Sequence, residues 1–350
     1  MRGSRTPTGI MMLLVFLMGL LFSGIAWAEE KEKPAYPEVE KWVTPTPKKH
    51  YTIGVCVPMM GAPFWRNTAY GVFSQAEKLG VELLFYDAGG FAFLEKQIKQ
   101  VEDLIVRKVD AIIMCAISSK GTIEVMERAA SKGIVAMNFV SRTYSDKIVS
   151  AVLDDDYRIG QIEAEYIGEQ LKGKGEGIML SGPAGVDWAM NRAKGFRETL
   201  KKKYPGMKIL TEKWCEPNIA APQKIMDDLL LTFPDMQFCY AAADGMSMGA
   251  ANAVRAAKKL GQVLITTASF SPEGADYLKK GYISMNVGES PILEGAWAID
   301  TAVRILNGED APKLIFVPNP PFTRESMDDP EMEKFIKYQW APKGWRVPSF

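Results

Sequence analysis

Side chains that can hold a small polar molecule recur in this sequence where predicted strands give way to loops or helices. Aromatic faces such as those of Phe64 and Trp65 can stack on a sugar ring or enclose a methylated cation. Charged side chains at several strand ends would share one polar cleft, because a buried charge must be paired. We therefore predict a ligand-binding site that is formed by Phe64, Trp65, Asp87, Asn138, Asp155, Asp187, Trp188, Arg192, Asp244, Ser269 and Glu289.

The same residues have a plainer structural interpretation. Asp87, Asp187 and Asp244 could cap helices, since a carboxylate accepts hydrogen bonds from the free amides of a helix N-terminus. Phe64 and Trp65 could belong to the core under the first helix. The sequence leaves both interpretations open.

The residue sets that catalysis requires are missing from this sequence. Its single histidine is His50, which lies beside two lysines, so a Ser-His-Asp or Cys-His site is not expected. The motifs of zinc proteases, serine hydrolases and P-loops do not occur. Asp154–Asp156 are adjacent residues before a helix, which is typical of a cap rather than of an acid–base pair. We predict a protein that is not an enzyme and that uses no cofactor or metal.

The four cysteines are Cys56, Cys115, Cys215 and Cys239. Cys56 and Cys115 lie inside apolar runs, where a free cysteine behaves as a small hydrophobic residue. Buried thiols are therefore favoured, although an exported chain permits disulfides and the sequence leaves the pairing open.

The first 28 residues have the order of a secretory signal peptide. Arg2 and Arg5 precede an apolar run at 11–18, and Ala26-Trp27-Ala28 forms a cleavage pattern. Cleavage after Ala28 and export to the periplasm are predicted, with an uncleaved anchor as the alternative. Residues 29–49 are rich in Glu, Lys and Pro, and they predict an extended arm.

Composition and patterning indicate the fold class. The chain has 42 basic and 42 acidic residues, so nucleic acid is not an expected partner. Strand-like and helix-like segments alternate from Tyr51 to Asn307, with a turn predicted at Lys172–Gly177. Such alternation predicts βαβ units with parallel sheets, and the length of the chain predicts two α/β lobes.

Together, several short segments resemble the periplasmic binding proteins of the ribose/galactose type between Ile53 and Asn307. They are Phe64-Trp65, Ala76-Glu77-x-Leu79-Gly80, Glu102–Ile105, Val109–Ile113, Gly133-Ile134, Arg192-x-x-Gly195-Phe196, Asp244–Ala250 and Leu306–Gly308. The resemblance implies two Rossmann-like lobes that are joined by a three-stranded hinge near Asp155, Glu289 and Pro318. The expected lobes are residues 50–154 plus 289–317 and residues 155–288 plus 318–350, the latter including the C-terminal tail.

The sequence departs from the sugar-binding pattern of that family at three places. An acidic residue is usual after the fourth strand, where this chain has Asn138-Phe139-Val140-Ser141. Gly-Phe-Asp is usual where this chain has Ala268-Ser269-Phe270-Ser271, and Gln is usual at Glu289.

A narrower resemblance is to the TorT-like periplasmic sensors of the trimethylamine N-oxide respiration system. It rests on Cys56, Phe64-Trp65, Gly80–Leu83, Asp87–Phe91, Ser181–Pro183, Ser269-Phe270 and Ala341–Arg346. This resemblance implies a receptor that closes on trimethylamine N-oxide or a similar small polar ligand and signals to a membrane sensor histidine kinase. The alternative is a solute-binding protein that delivers a sugar or polyol to an ABC permease.

Overall fold

The computed structural model describes residues 34–61 and 63–348, so the predicted signal peptide lies outside the described residues. Within the described ranges, no helix combines the length and apolar character that crossing a bilayer requires. The strands, in chain order, are β1 Thr52–Val57, β2 Glu82–Asp87, β3 Ala111–Met114, β4 Val135–Phe139, β5 Ser150–Leu153, β6 Lys174–Leu180, β7 Gly206–Lys213, β8 Phe238–Ala241, β9 Leu264–Ala268, β10 Met285–Val287, β11 Leu314–Phe316 and β12 Pro321–Thr323.

Helices follow most of these strands. They are α1 Pro63–Leu79, α2 Leu94–Val106, α3 Ile123–Ser131, α4 Asp156–Gln170, α5 Asp187–Lys203, α6 Ala220–Thr232, α7 Asp244–Ala256, α8 Pro272–Lys279, α9 Pro291–Leu306 and α10 Pro330–Ile336. Short 3-10 turns occupy Val39–Lys41 and Ser326–Asp328.

The strands form two six-stranded sheets, one in each lobe. The first has the order β11-β5-β4-β3-β1-β2, and the second has the order β12-β10-β9-β8-β6-β7. All neighbours are parallel except β10 and β12, which pair antiparallel with Met285 opposite Thr323. The predicted fold class, two α/β lobes with parallel sheets, is confirmed.

The central strands are apolar along their whole length because helices cover both faces of each sheet. In β1, Ile53, Val55 and Val57 face one hydrophobic cluster, and Cys56 faces another on the opposite side. Cys56, Cys115 and Cys239 are buried, Cys215 is partly buried, and all four are free thiols.

The turn that was predicted at Lys172–Gly177 is shorter in the structure. Lys172 and Gly173 adopt positive φ angles of 51° and 73°, and β6 begins directly after them at Lys174. Glycines at 175 and 177 are therefore strand residues. They weaken the strand pattern in the sequence because glycine has no side chain to alternate between faces.

In each lobe, two long helices cross at a pair of glycines. A Cβ atom at Gly160 of α4 would lie 1.9 Å from the carbonyl oxygen of Arg192, and one at Gly195 of α5 would lie 2.1 Å from that of Tyr157. In the first lobe, a Cβ atom at Gly71 of α1 would lie 2.1 Å from the carbonyl oxygen of Ile292. The helix backbones can approach this closely only where neither carries a side chain.

The chain passes from one sheet to the other between β5 and β6, between β10 and β11, and between β11 and β12. Asn319 connects these three crossing segments. Its Nδ2 donates to Asp154 Oδ1 (2.6 Å) and to the carbonyl of Gly288 (3.2 Å), and its Oδ1 accepts from the amide of Asp155 (3.2 Å). These three crossings form the hinge. The sheets assign only the strands to a lobe, and not the loops and helices, so the predicted residue boundaries of the lobes stay a prediction.

The described parts of the N-terminal arm and of the C-terminal tail pack against the lobes. In the N-terminal arm, Ala35 bridges to Ile315 of β11. In the C-terminal tail, Trp340 Nε1 donates to the carbonyl of Phe270 in the second lobe (2.7 Å), while the Trp345 ring lies 5.3 Å from the Tyr70 ring in the first. The tail therefore touches both lobes.

Candidate functional site

Arg192 is the centre of a buried charged site between the lobes. It lies on α5 and is 3% exposed. Its Nε donates to Asp156 Oδ1 (2.8 Å), Nη2 donates to Glu289 and Nη1 donates to the carbonyl of Ala242 (3.1 Å). Burial works against the charge, but the surrounding carboxylates hold the pKa of Arg192 well above its usual value. The guanidinium also lies 5.1 Å from the Trp188 ring.

Further carboxyl groups surround this arginine. Asp154 directly follows β5, and Glu294 lies in the first turn of α9. Burial, followed by the charges of the neighbouring carboxylates, raises the pKa of Asp154 and of Glu294 well above the ordinary value. Burial also raises the pKa of Asp156 to about 6, although Arg192 opposes the rise. We call Asp154, Asp156, Arg192, Glu289 and Glu294 the hinge cluster.

Asp244 extends the acidic site along the end of β8. It does not cap its own helix, because Ala243 occupies the N-cap position of α7. Its carboxylate accepts from Asn286 Nδ2 (3.0 Å) and from the amide (3.1 Å) and hydroxyl of Ser271. Burial raises the pKa of Asp244 to about 7; these hydrogen bonds oppose the rise, and the charge of Glu289 adds to it. Asp244 and Glu289 therefore lie close enough to interact.

Asp187 joins the two lobes. Its Oδ2 accepts from the Ser119 hydroxyl (2.7 Å) and from the Tyr144 hydroxyl (2.8 Å), both of which belong to loops of the first lobe. Asp187 itself begins α5 of the second lobe. These two hydrogen bonds connect the first lobe to the second.

Three of the predicted site residues, Asp87, Asn138 and Ser269, are engaged in local contacts or turns. Asn138 is buried, with Nδ2 donating to the carbonyl of Met114 (2.8 Å) and Oδ1 accepting from the amide of Thr143 (2.8 Å). Asp87 Oδ1 accepts from the amide of Gly89 (2.7 Å). Ser269 has a positive φ of 72° in the turn after β9. Their roles toward a ligand stay predictions.

Asp155 faces away from Arg192. It caps α4 by accepting from the amide of Arg158 (2.9 Å), and its other oxygen accepts from the Tyr36 hydroxyl (2.5 Å). It lines a groove of about 420 Å³ between the N-terminal arm and the hinge. The structure thus separates it from Asp156, its neighbour in sequence.

Phe64 and Trp65 begin α1 and pack edge to face, with ring centroids 5.1 Å apart. Trp65 is 7% exposed and belongs to the hydrophobic cluster of the first lobe, while Phe64 is partly buried. The ring of Phe91, which is 50% exposed, lies 6.1 Å from that of Trp65. Trp65 therefore packs in the hydrophobic core, and its predicted contact with a ligand stays a prediction.

The structure brings Trp188, Arg192, Asp244 and Glu289 together, with Asp187 bridging the lobes nearby. Sequence reasoning missed other members of this site, which are Asp154, Asp156, Ser271, Asn286 and Glu294. Within residues 34–61 and 63–348, no group of three or more His, Cys, Asp or Glu is arranged to hold a metal ion.

A further buried carboxyl, Glu163, gives a testable pH dependence. It lies on α4 and is 0% exposed. Burial raises its pKa from 4.5 to about 8, although Thr266 and Arg192 oppose the rise. Between these pH values the folded protein keeps a proton that the unfolded chain has lost, so stability falls as pH rises through this window.

We expect Glu163→Gln to reduce this loss, because the amide cannot ionise. In urea unfolding, the stability of the variant should fall less between pH 5 and pH 9 than that of the wild type. The difference should be at least about 1.4 kcal/mol, which is the free energy of one pKa unit. Glu169→Gln, at an exposed position of the same helix, is the matched control. Parallel pH profiles for wild type and Glu163→Gln would contradict the expectation.

The sequence of this chain is similar to those of known binding proteins. The sequence profile of the periplasmic binding protein domain matches residues 53–310. The ribose import binding protein of Bacillus subtilis is 27% identical over 285 residues, which cover 80% of this chain and 91% of that protein. The D-allose-binding periplasmic protein of Escherichia coli is 25% identical over 257 residues, which cover 71% and 82%.

A solved structure agrees with the fold. An ABC transporter solute-binding protein from Bradyrhizobium, solved with bound Bis-Tris, superposes with a TM-score of 0.77 at 26% identity. The match covers 87% of this chain and 91% of that protein. All three are named as binding proteins, and the names of the first and third refer to import or to an ABC transporter.

Proposed function

Because the chain belongs to the periplasmic binding protein family, we propose that it is the solute-binding protein of an ABC importer and that its ligand is a sugar or polyol. The relatives that bind ribose and allose support this interpretation over the sensor interpretation. The observation that carries the proposal is the junction of both lobes at one polar site. Asp187 bridges the lobes, and Arg192, Glu289 and Asp244 lie together at the strand ends, where ligands of open α/β sheets bind.

The proposed mechanism is closure of the lobes around the ligand. A ligand that contacts both lobes binds the closed form more tightly than the open form and shifts the population toward it. Trp65 and Trp188 would offer apolar faces to a sugar ring. Arg192, Asp244 and Glu289 would hold its hydroxyl groups through charge-assisted hydrogen bonds. The closed form would then be presented to the permease.

A second candidate function is the TorT-like sensor that binds trimethylamine N-oxide or a similar solute and signals to a membrane histidine kinase. It is favoured by Phe270, which lies in the segment Ala268–Ser271, where the sugar-binding family usually has Gly-Phe-Asp. The Phe270 ring stacks on Phe322 at 4.4 Å and on Trp340 of the tail at 5.4 Å. A hydrophobic residue that the tail covers cannot grip a sugar hydroxyl, and the same tail carries the TorT-like resemblance.

A thermal-shift screen of residues 29–350 separates these candidates. The panel would hold pentoses, hexoses and polyols, their amino-substituted counterparts, and trimethylamine N-oxide. At a concentration 100 times the Kd, a ligand that binds only the folded state stabilises it by about 2.7 kcal/mol. We expect at least one sugar or polyol, neutral or amino-substituted, to raise the melting temperature. A rise with trimethylamine N-oxide alone would favour the sensor and contradict the importer.

A further inference from the structure

The hinge cluster holds more negative than positive groups. Its members are four carboxyls, at Asp154, Asp156, Glu289 and Glu294, and one guanidinium, at Arg192. Arg192 bonds directly to Asp156 and Glu289. The carboxyls of Asp154 and Glu294 feel its charge without bonding to it. Two acidic groups are therefore left without an ion-pair partner inside the cluster.

Glu294 is the more isolated of these two groups. It is 0% exposed, and neither of its carboxyl oxygens accepts a hydrogen bond from any residue within 34–61 and 63–348. Asp154, by contrast, accepts from Asn319. Burying a carboxyl without a partner costs free energy whether it is charged or neutral, because water is lost in both cases. Its place in the protein is thus not explained by stability.

Glu294 lies near the segments that cross the hinge, because Asp154, Glu289, Asp156 and Arg192 all act on its carboxyl. Glu294 lies one helical turn after Glu289-Ser290, where the chain crosses the hinge. The charge of Asp154, in the first crossing, raises the pKa of Glu294, and the charge of Glu294 raises the pKa of the Cys115 thiol, directly after β3. Ligands of parallel α/β sheets bind beyond the carboxyl ends of the strands. Glu294 and Asp154 are therefore placed to face a ligand that the closed lobes hold.

We propose that the bound solute is an amine-bearing sugar or polyol whose positively charged nitrogen is paired by the carboxyls of Glu294 and Asp154. This inference rests on the proposed solute-binding function and narrows its substrate class. A cationic nitrogen supplies the charge that the hinge cluster lacks, and its N–H groups supply the missing donors to Glu294. The hydroxyl groups of the same ligand remain for Asp244 and Glu289.

Binding of such a ligand is coupled to proton release. Burial, followed by the charges of the neighbouring carboxylates, raises the pKa of Glu294 and of Asp154, so both oppose ionisation without a ligand. Pairing with a cation favours the ionised carboxylate, so any proton that either group holds leaves to solvent as the ligand enters. The affinity for an amine that stays protonated should therefore rise as pH rises. The titratable groups that face the pair are Asp156, Arg192, Cys115, Asp244 and Glu289.

Calorimetric titration of residues 29–350 with matched ligand pairs tests the proposal. The pairs are D-glucamine with sorbitol and D-glucosamine with D-glucose, which differ in the amine. We expect the amine of at least one pair to bind at least about 10-fold more tightly than its neutral partner, and glucamine affinity to increase from pH 6 to pH 8. Glu294→Gln should abolish this preference. Glu124→Gln, an exposed carboxyl on α3, should preserve it.

Three outcomes would overturn the proposal. Neutral ligands that bind as tightly as their amine partners would contradict the charged ligand while leaving the solute-binding function intact. A preference that survives in both Glu294→Gln and Asp154→Asn would remove the two carboxyls from the site; the second variant covers a failure of the first to fold. Absence of binding by all four ligands would count against the proposal and against a sugar or polyol importer alike.

Discussion

Replacement of Arg192 by methionine is expected to lower the free energy of unfolding by about 3–5 kcal/mol at pH 7.5. The guanidinium pairs with Asp156 and Glu289 in a site that is almost closed to water. Methionine keeps most of the volume but none of the charge, so both carboxylates would stay buried without a cation. Breaking a buried ion pair from one side costs more than the pair contributes, because the remaining charge loses its compensation.

The loss should depend on pH. In the wild type the pKa of Asp156 is about 6, because Arg192 partly offsets the effect of burial. Without the guanidinium Asp156 takes up a proton more readily, so at pH 5 its charge no longer needs Arg192. Urea unfolding at pH 5 should therefore show a smaller difference between wild type and variant than at pH 7.5. Lys202→Met, at an exposed position of the same helix, controls for loss of a cation. A loss under about 1 kcal/mol at pH 7.5 would show that Arg192 is not the compensating charge.

Gly160→Ala is expected to destabilise the protein by about 3 kcal/mol, the upper part of the range for overpacked sites. Alanine normally favours a helix by about 1 kcal/mol over glycine, so the expected sign is opposite to the helix propensity. The new methyl group would lie 1.9 Å from the carbonyl oxygen of Arg192. Because that atom belongs to the backbone, α4 and α5 would have to separate and disturb the packing that holds Arg192.

Thermal or urea unfolding measures this effect directly. Gly245→Ala is the matched control, since a Cβ atom there would lie 3.0 Å from its nearest neighbour, the carbonyl oxygen of Pro217. We expect the control to change stability far less. Equal effects at both positions would mean that the close crossing of α4 and α5 is not what glycine protects at position 160.

Much of the fold could be predicted from local patterns. Strands such as β1 are continuous apolar runs, and glycines mark the ends of several helices. The alternation of strands and helices is therefore visible in the sequence. The four-residue β5, Ser150–Leu153, is too short to show a period. The shift of the β6 start to Lys174 depends on two backbone angles, which three closely spaced glycines do not reveal.

The site was harder to predict because its members meet only through the fold. Arg192 lies inside α5, whereas Asp244 begins α7 and Glu289 follows β10, so only the latter two are marked by their positions. Asp155 stands in a similar place, yet the helix start turns it toward Tyr36 and turns Asp156 toward Arg192. Glu294 lies inside an apolar helix without any motif. Its importance comes from the carboxyls that other segments place beside it.

Asn319 links the three crossing segments of the hinge through one side chain. Its side-chain amide is bonded at the same time to Asp154, to Asp155 and to Gly288. As long as these three bonds persist, the crossing segments cannot slide past one another, and the remaining freedom between the lobes is rotation about this point. Asn319 is then the pivot of this rotation. Because displacement grows with distance from a pivot, small changes in backbone torsion at the hinge produce wide movements at the outer rim of the cleft.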